Sequence, residues 1–577
     1  MSLKAQELGP IPEDTYKLGK QILAEDDLMR QIGDKYADLV RDEDFATMYS
    51  HTGQPALSPA RLALVSVLQA MEHISDRQAV AMLRTRIDWK YALHLPLSYA
   101  GFDASVLSEF RDRIVSNKAE RKIFDALLEK MKLAGFLKGR RLQRTDGLLI
   151  VAAVRDLNRL ELVMETLRLA LIEIAKADAQ WLKNNSPASW LETYGEWTQA
   201  ERLVKERGNK GKAEQTSLLM QTARDGFELL EKLGILNATQ LIKLPAVETL
   251  QLVWSQQFKK CAEAIEVQST ESRKGEGIEG KDLIATPHDK EARYTEKREQ
   301  KITGYKMHLT EVASEEGPAI ITDIEIVESC SYDGDALEGI HSRLDERDLL
   351  PSDGHAVDRG YVSGQTIDES KERTVELIGP VQDNTSATAR EKEGFSVENF
   401  KLDFDLQQAI CPQGHSAQSW INTIRTDRGQ EIVQILWDKQ VCDQCPFRDK
   451  CVQGKKTGRV IKLSKHYPSI AKRRQEQKTD QFHQLYRRRS GVEATFSFIV
   501  LNCGARTTPY CGKAKTLFHY LAMATAVNLR RAIAWQAGRR PKRQRVSTLQ
   551  KLMGIVVPKI TFFLRFLTFF CCPAASF

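Results

Sequence analysis

Long apolar runs are scarce in this 577-residue chain. The most apolar stretch, Ile560 to Cys572 (ITFFLRFLTFFCC), is shorter than the roughly 20 residues a bilayer crossing needs and carries Arg565. It reads as a docking segment or a damaged C-terminus, and no membrane partner is expected. A basic-then-apolar leader with a small-residue cleavage site is also missing from the opening MSLKAQELGPIPEDTYKLGK, which predicts a cytoplasmic rather than a secreted protein. Cysteine is sparse and unevenly placed: four of the ten fall between Cys411 and Cys451. That pattern excludes a disulfide framework and suggests a metal. Neither sign of charge dominates, since 84 basic residues face 77 acidic ones for a net +7, which permits nucleic-acid binding without demanding it. No internal repeat is visible, so a solenoid is not expected.

What is present is ordinary globular material. Hydrophobic residues make up 42% and charged residues 28%, which argues against wholesale disorder. The length exceeds what one hydrophobic core usually serves, so two to four domains, or one domain with large insertions, are expected. The most basic stretches are Lys132 to Arg144, Lys205 to Lys212, Tyr486 to Arg489 and Arg539 to Arg545 (RRPKRQR). Each is more often a solvated face than a DNA contact.

Between Leu57 and Ile114 the pattern predicts short helices with start signals at Ser58 before Pro59, at Ser75 and at Asp103. Leu62, Val65, Leu68 and Met71, then Val106, Leu107, Phe110 and Ile114, recur at helical spacing and give each helix an apolar face. RLQRTDGLLI is short and ends apolar, which predicts a strand carrying Asp146, followed by a long helix from about Val151 to Lys176. Helical periodicity then continues to about Lys260. Strands are expected at ITGYKMHLTEVA and PAIITDIEIVES, a helix from Asp335 to Asp348, and a short strand leading to Asp358. A mixed sheet with helices against it follows, with Asp358 at a strand end facing a cleft. Short β-like runs surround the cysteines between Ile378 and Ser464, and helix returns over Gln475 to Val500 and over AKTLFHYLAMATAVNLRRAIAW.

Tyr486, Arg489 and Glu493 form Y-x-x-R-x-x-x-E, and these offsets place the three within roughly 60° on one helical face. The group suits a metal ligand with phosphate-binding neighbours; a surface Arg/Glu pair on an ordinary helix is the plainer alternative. Cys411 in CPQGH and Cys442, Cys445 and Cys451 in CDQCPFRDKC have structural-zinc character, with His415 as a substitute ligand. The alternative is reduced, half-buried thiols. Cys261, Cys330, Cys503 and Cys511 read as packing residues. His308 and His355 fall near the expected cleft and read as structural histidines.

Several blocks, in this order, resemble those of the insertion-sequence DDE transposases of bacteria: RLQRTDGLLIVAAVRDLNRLELV, PHDKEARYTEKREQKITGYKMHLTE, HAVDRGYV, YRRRSGVEATFS and GKAKTLFHYLAMATAVNLRR. LSPARLALVSVLQAMEHISDRQAVAMLR and FDASVLSEFRDRIV resemble the helical N-terminal domain of that family. The resemblance spans about residues 20 to 535. It implies an α/β (mixed) chain with an RNase H-like catalytic core, in which Asp146, Asp358 and Glu493 hold Mg²⁺ (or Mn²⁺) while Tyr486 and Arg489 position the DNA backbone. The partner implied is DNA, both transposon ends and target, handled by a homo-oligomer associated with the nucleoid.

The expected layout is a helical N-terminal domain (1–135), core segments at 136–176, 281–377 and 471–535, a helical insertion (177–280), a β-rich insertion with a zinc site (378–470), and a basic segment with the apolar tail (536–577). Gly147 to Leu149 stand where the family commonly has a hydroxyl after the first Asp, and Val500 and Leu501 where it has a basic residue. Two other readings therefore stay open: a decayed copy that only binds DNA, and an RNase H-like nuclease without strand transfer.

Overall fold

The structure is a computed structural model that describes residues 1–137, 142–195, 212–261, 264–297, 299–313, 317–390, 394–425, 429–452 and 457–539. The basic runs at 205–211 and 540–545 and the apolar tail lie outside them. The chain divides into two units, Met1–Ile533 and Ala534–Phe577; the architecture below is that of the first.

Helices Glu13–Ile22, Leu28–Lys35, Pro59–Glu72, Asp76–Thr85, Ile87–Ala92, Ser105–Ser116 and Lys122–Leu133 open the chain. Ser58 accepts from the Arg61 amide with Pro59 in the first turn, and Ser75 forms a capping box with Gln78. Asp103 lies one residue outside its expected cap: Ala104, already helical in φ and ψ, takes that place, and Asp103 instead accepts from the Ser105 amide at 2.8 Å. Leu62, Val65, Leu68, Leu107, Phe110 and Ile114 are buried as their spacing requires.

The long helix after the first strand starts later than its periodicity suggests, at Arg159 rather than Val151. Asn158 and Glu161 form a reciprocal capping box that sets the start, and residues 151–158 finish the strand and its exit loop. This helix packs with Lys212–Ile235 and Pro245–Gln257 around Leu167, Ile174, Leu250 and Trp254. A hairpin of β2 (Phe258–Cys261) and β3 (Ala264–Val267) follows.

The main sheet is mixed. Its strands are β1 (Gln143–Val151), β4 (Arg293–Lys297), β5 (Gln300–Val312), β6 (Ile321–Glu328), β7 (His355–Val357) and β8 (Leu377–Ile378). β5 is antiparallel to β1, β4 and β6, whereas β1, β7 and β8 run parallel to one another. The spatial order is therefore β6-β5-β1-β7-β8, with β4 also on β5. Parallel neighbours need crossovers; helices Ala336–Glu346 and Gly364–Glu372 stand between β6 and β7 and between β7 and β8. One apolar cluster joins Tyr305, Met307 and Leu309 of β5 to Leu107 and Phe110 of the N-terminal helices and to Phe518 and Leu521 of the helix Lys513–Gln536.

The β1–β5 pairing depends on a glycine. A Cβ at Gly304 would stand 2.0 Å from the Ile150 carbonyl oxygen and 2.8 Å from the Ala152 nitrogen, both backbone atoms that cannot rotate aside. Gly304→Ala is expected to cost roughly 1–3 kcal/mol, as overpacking does. A lowered urea midpoint would show it; an unchanged one would mean the strands part freely.

The cysteine-bearing region forms separate small sheets: β9 (Lys401–Asp403) with β10 (Gln408–Ile410), and β11 (Ser419–Arg425), β12 (Gln430–Leu436) and β13 (Val460–Ser464). After it, the single helix expected over Gln475 to Val500 is several pieces: Tyr467–Glu476, Asp480–Arg487, a 3₁₀ turn at Arg488–Ser490, and Gly491–Cys503. The break has a local cause. At the 3₁₀ turn, Arg144 of β1 donates through Nη1 to the Arg488 carbonyl at 2.8 Å, and the tip of its guanidinium occupies the space a Cβ on residue 491 would take.

Candidate active site

Asp146 lies inside β1 and Asp358 one residue past β7. The parallel register pairs Thr145 with Val357, so the two aspartates are the next residues on adjacent strands. Neighbouring strands run about 4.8 Å apart, and the side chains alternate between faces. Thr145 points into the sheet interior, where its hydroxyl bonds His355 Nε2 at 2.7 Å and Thr310 Oγ1 at 2.6 Å. Asp146, the next residue, is turned the other way.

Asp146 accepts from the Gly147 amide at 2.8 Å and from Arg489 Nη1 at 2.8 Å. Asp358 caps the 3₁₀ turn Arg359–Tyr361, accepts from the Arg359 amide at 2.7 Å, and is otherwise exposed. Arg489 reaches across to Glu493 Oε1 at 3.7 Å and lies 5.7 Å from the centre of the Tyr486 ring. Tyr486, Arg489 and Glu493 occupy a helix, a 3₁₀ turn and a second helix rather than one continuous helical face, yet they still meet around the guanidinium. Arg487 and Arg488 are exposed beside them.

Burial pushes the Asp146 carboxyl above its ordinary range and the nearby Asp358 charge adds to this, while the Gly147 amide and the Arg489 cation pull the other way. Burial also works against the Arg489 charge, but Asp146, Tyr486, Asp358 and Glu493 outweigh it, and the guanidinium is held more firmly protonated than usual. Since a carboxylate must be ionised to ligate a cation, any cleavage that uses Asp146 should fall away on the acid side above the usual aspartate range. Arg489→Gln removes a cation that lowers this pKa, so the acid limb should move to higher pH. A pH series of single-turnover cleavage rates checks this, and an acid limb left in place by Arg489→Gln would exclude Asp146 as the titrating group.

Three groups around this site carry little sequence signal. Glu311 on β5 is fully buried, with Oε1 2.6 Å from Arg144 Nη2 and Oε2 2.9 Å from Arg531 Nη1 and 2.7 Å from Thr495 Oγ1. The only hint was an acid inside the otherwise apolar HLTEVA strand, because a buried charge needs partners. Tyr361 and His308 share a 2.5 Å hydrogen bond beneath Gly147. Burial pushes His308 down to about 4 and raises the Tyr361 phenol, so both are neutral near pH 7. His355, read as structural, is fully buried, bonded to Thr145 and to His341 Nε2 at 2.9 Å.

The donor set suits a hard divalent cation, being carboxylate oxygens from separate elements. Among the described residues, however, no three His, Cys, Asp or Glu side chains are already grouped as a metal would hold them. At this site the reason is visible: Arg489 takes the Asp146 oxygen that a cation would use. Of the four cysteines read as packing residues, only Cys503 is buried; Cys330 is intermediate, while Cys261 and Cys511 are exposed. Cys261 ends the short β2 strand, whose last three residues are exposed. Among the described residues no helix is long and apolar enough to cross a membrane.

Residues 410–533 match the family model described as Transposase DDE domain, and residues 17–113 match the one described as Transposase domain (DUF772). No curated protein and no solved structure matches the chain. The first match contains Tyr486, Arg489 and Glu493, and the second covers most of the N-terminal helices. Transposase models matching at both ends, in the order expected of that family, support an insertion-sequence DDE transposase.

Proposed function

We propose that this transposase cleaves DNA at transposon ends and joins the freed 3′-hydroxyl to a target strand, with Asp146, Asp358 and Glu493 as its catalytic carboxylates. The parallel register of β1 and β7, which sets Asp146 and Asp358 side by side with Arg489 and Glu493 over them, carries this reading. The sheet order β6-β5-β1-β7-β8, three antiparallel strands followed by two parallel additions, supports an RNase H-like core assembled from residues 136–176, 281–377 and 471–535. Residues 1–135 are then the DNA-binding helical region, and 177–280 and 378–470 are insertions.

Mg²⁺ or Mn²⁺, when held by the three carboxylates, would supply Lewis acidity toward the phosphate and the attacking oxygen. The protein's own groups do the remaining work. Arg489 works against the upward push of burial on the Asp146 carboxyl, and on giving up that carboxylate its planar fork is matched to a phosphate of the DNA backbone. Tyr486 stacks beside the guanidinium and limits where it can swing. Exposed Arg487 and Arg488 add backbone contacts. In the first step a water oxygen bonds to phosphorus and the bond to the departing 3′ oxygen breaks. In the second, that 3′-hydroxyl attacks a target phosphorus and displaces another 3′ oxygen. Since two ends must be brought together, a homo-oligomer is the working form.

The test is an end-joining assay with the full chain, a labelled transposon-end duplex carrying a free 3′-hydroxyl, target DNA and Mg²⁺. Joined products are expected. Cleavage without joining would replace the reading with a nuclease, and DNA binding with neither would replace it with a decayed DNA-binding copy.

A further inference from the structure

The β9–β13 region is poorly supplied with core for its size. Its apolar cluster has six buried side chains, Phe400, Ala409, Val433, Ile435, Trp437 and Ile461. A module of this size usually needs a staple as well as such a core. Disulfides do not provide it, because the cysteines here are free.

Four of those cysteines surround one cavity. Cys411, Cys442, Cys445 and Cys451 line a space of about 30 Å³, together with His415, Trp437 and Arg459. A cavity of that size admits about one small particle. The thiols arrive from three places. Cys411 begins a tight turn in which Gly414, at φ +86°, donates to the Cys411 carbonyl at 2.9 Å, while the Cys411 amide donates back to the His415 carbonyl at 2.9 Å. Cys442 lies in the helix Lys439–Asp443 and Cys445 just beyond it, and Cys451 ends the short helix Arg448–Cys451.

Two of the sulfurs already receive main-chain donors. The His415 amide points to Cys411 Sγ and the Arg459 amide to Cys442 Sγ, each at 3.4 Å. These donors fix where the two sulfurs point. Arg459 brings a cation to the same cavity, and its buried Nε has no partner among the described residues. Four thiolates around a divalent ion carry a net charge of −2, which this arginine would halve. The side chains surround the cavity without yet being gathered on one point.

We propose that Cys411, Cys442, Cys445 and Cys451 bind one structural zinc ion, which closes this cradle and pins β10, the β12–β13 pair and the two short helices together. Zinc suits the set because four sulfur ligands close a tetrahedron and leave no open position for catalysis. Each thiol that enters loses its proton to solvent, and no oxidant or reductant is involved. This goes beyond the strand-transfer reading and does not depend on it.

The experiment is metal analysis of the full chain purified under reducing conditions without added chelator. About one zinc per chain is expected, with loss of that equivalent in Cys442→Ser and in Cys445→Ser and retention in Cys503→Ser. Asp358→Asn should keep its zinc, which separates this site from the catalytic one. Replacing the zinc of the wild-type chain with cobalt should produce the intense visible bands of tetrahedral thiolate coordination, a readout that does not depend on the variants folding. Wild-type chain without zinc, with iron in its place, with an octahedral cobalt spectrum, or with zinc untouched by Cys442→Ser would overturn the proposal.

Discussion

Asp358→Asn should bind transposon-end DNA as the parent chain does and cut it on the order of 10³-fold more slowly in Mg²⁺, the scale of losing a main electrostatic contributor to a charged transition state. Asparagine keeps the size of the side chain and can still accept from the Arg359 amide that Asp358 caps, so the 3₁₀ turn after β7 should survive. What disappears is one negative oxygen beside Asp146. Asp146→Asn should lose cleavage to a similar degree, with one difference: it also frees Arg489 from its 2.8 Å partner. A gel-shift titration beside a cleavage time course distinguishes the two effects. Cleavage persisting at near-parental rate in Asp358→Asn would remove this aspartate from the chemistry.

Glu311→Ala should lower stability by roughly 3–5 kcal/mol, the usual cost of taking one partner from a buried ion pair. Glu311 is fully buried and receives Arg144, Arg531 and Thr495. Without it two partly buried guanidinium groups lose their carboxylate, and Arg144 loses the partner that aims it at the Arg488 carbonyl. The 3₁₀ turn carrying Arg489 should loosen with it, so cleavage should fall beyond what instability alone produces. Chemical denaturation of Glu311→Ala and Glu311→Gln makes the comparison. Glutamine keeps hydrogen-bond acceptance and should cost less, and equal midpoints for the parent and Glu311→Ala would show that the network contributes nothing.

Much of the outline was legible because periodicity and capping are local. Leu62, Val65 and Leu68 recur at helical spacing and are buried, and Ser58 and Ser75 cap where a hydroxyl precedes an apolar run. The strand at Asp146 and the short one before Asp358 also stand where their apolar residues and flanking loops suggested. Boundaries failed where a distant group intervened. The helix expected across Gln475 to Val500 is interrupted at Thr479, which caps the helix Asp480–Arg487, and again at the 3₁₀ turn Arg488–Ser490. At the second of these Arg144, more than three hundred positions earlier, claims the Arg488 carbonyl. Cys261 and Cys511 are expected to pack because free cysteine is a small hydrophobe, yet Cys261 at the end of β2 and Cys511 just before the helix Lys513–Gln536 are both exposed.

By itself the sequence determined the local elements, the apolar faces that would be buried, the cysteine spacing and, through several blocks in order, the resemblance to transposases. Each of these depends on neighbours along the chain. Only the tertiary structure decided that β1 and β7 pair in parallel with Thr145 opposite Val357, that Arg489 bonds Asp146, and that Glu311 anchors two arginines from opposite ends of the chain. Such choices depend on which strand edge and which charge come within a few ångströms once the core has closed, and a linear order of residues does not encode those distances directly.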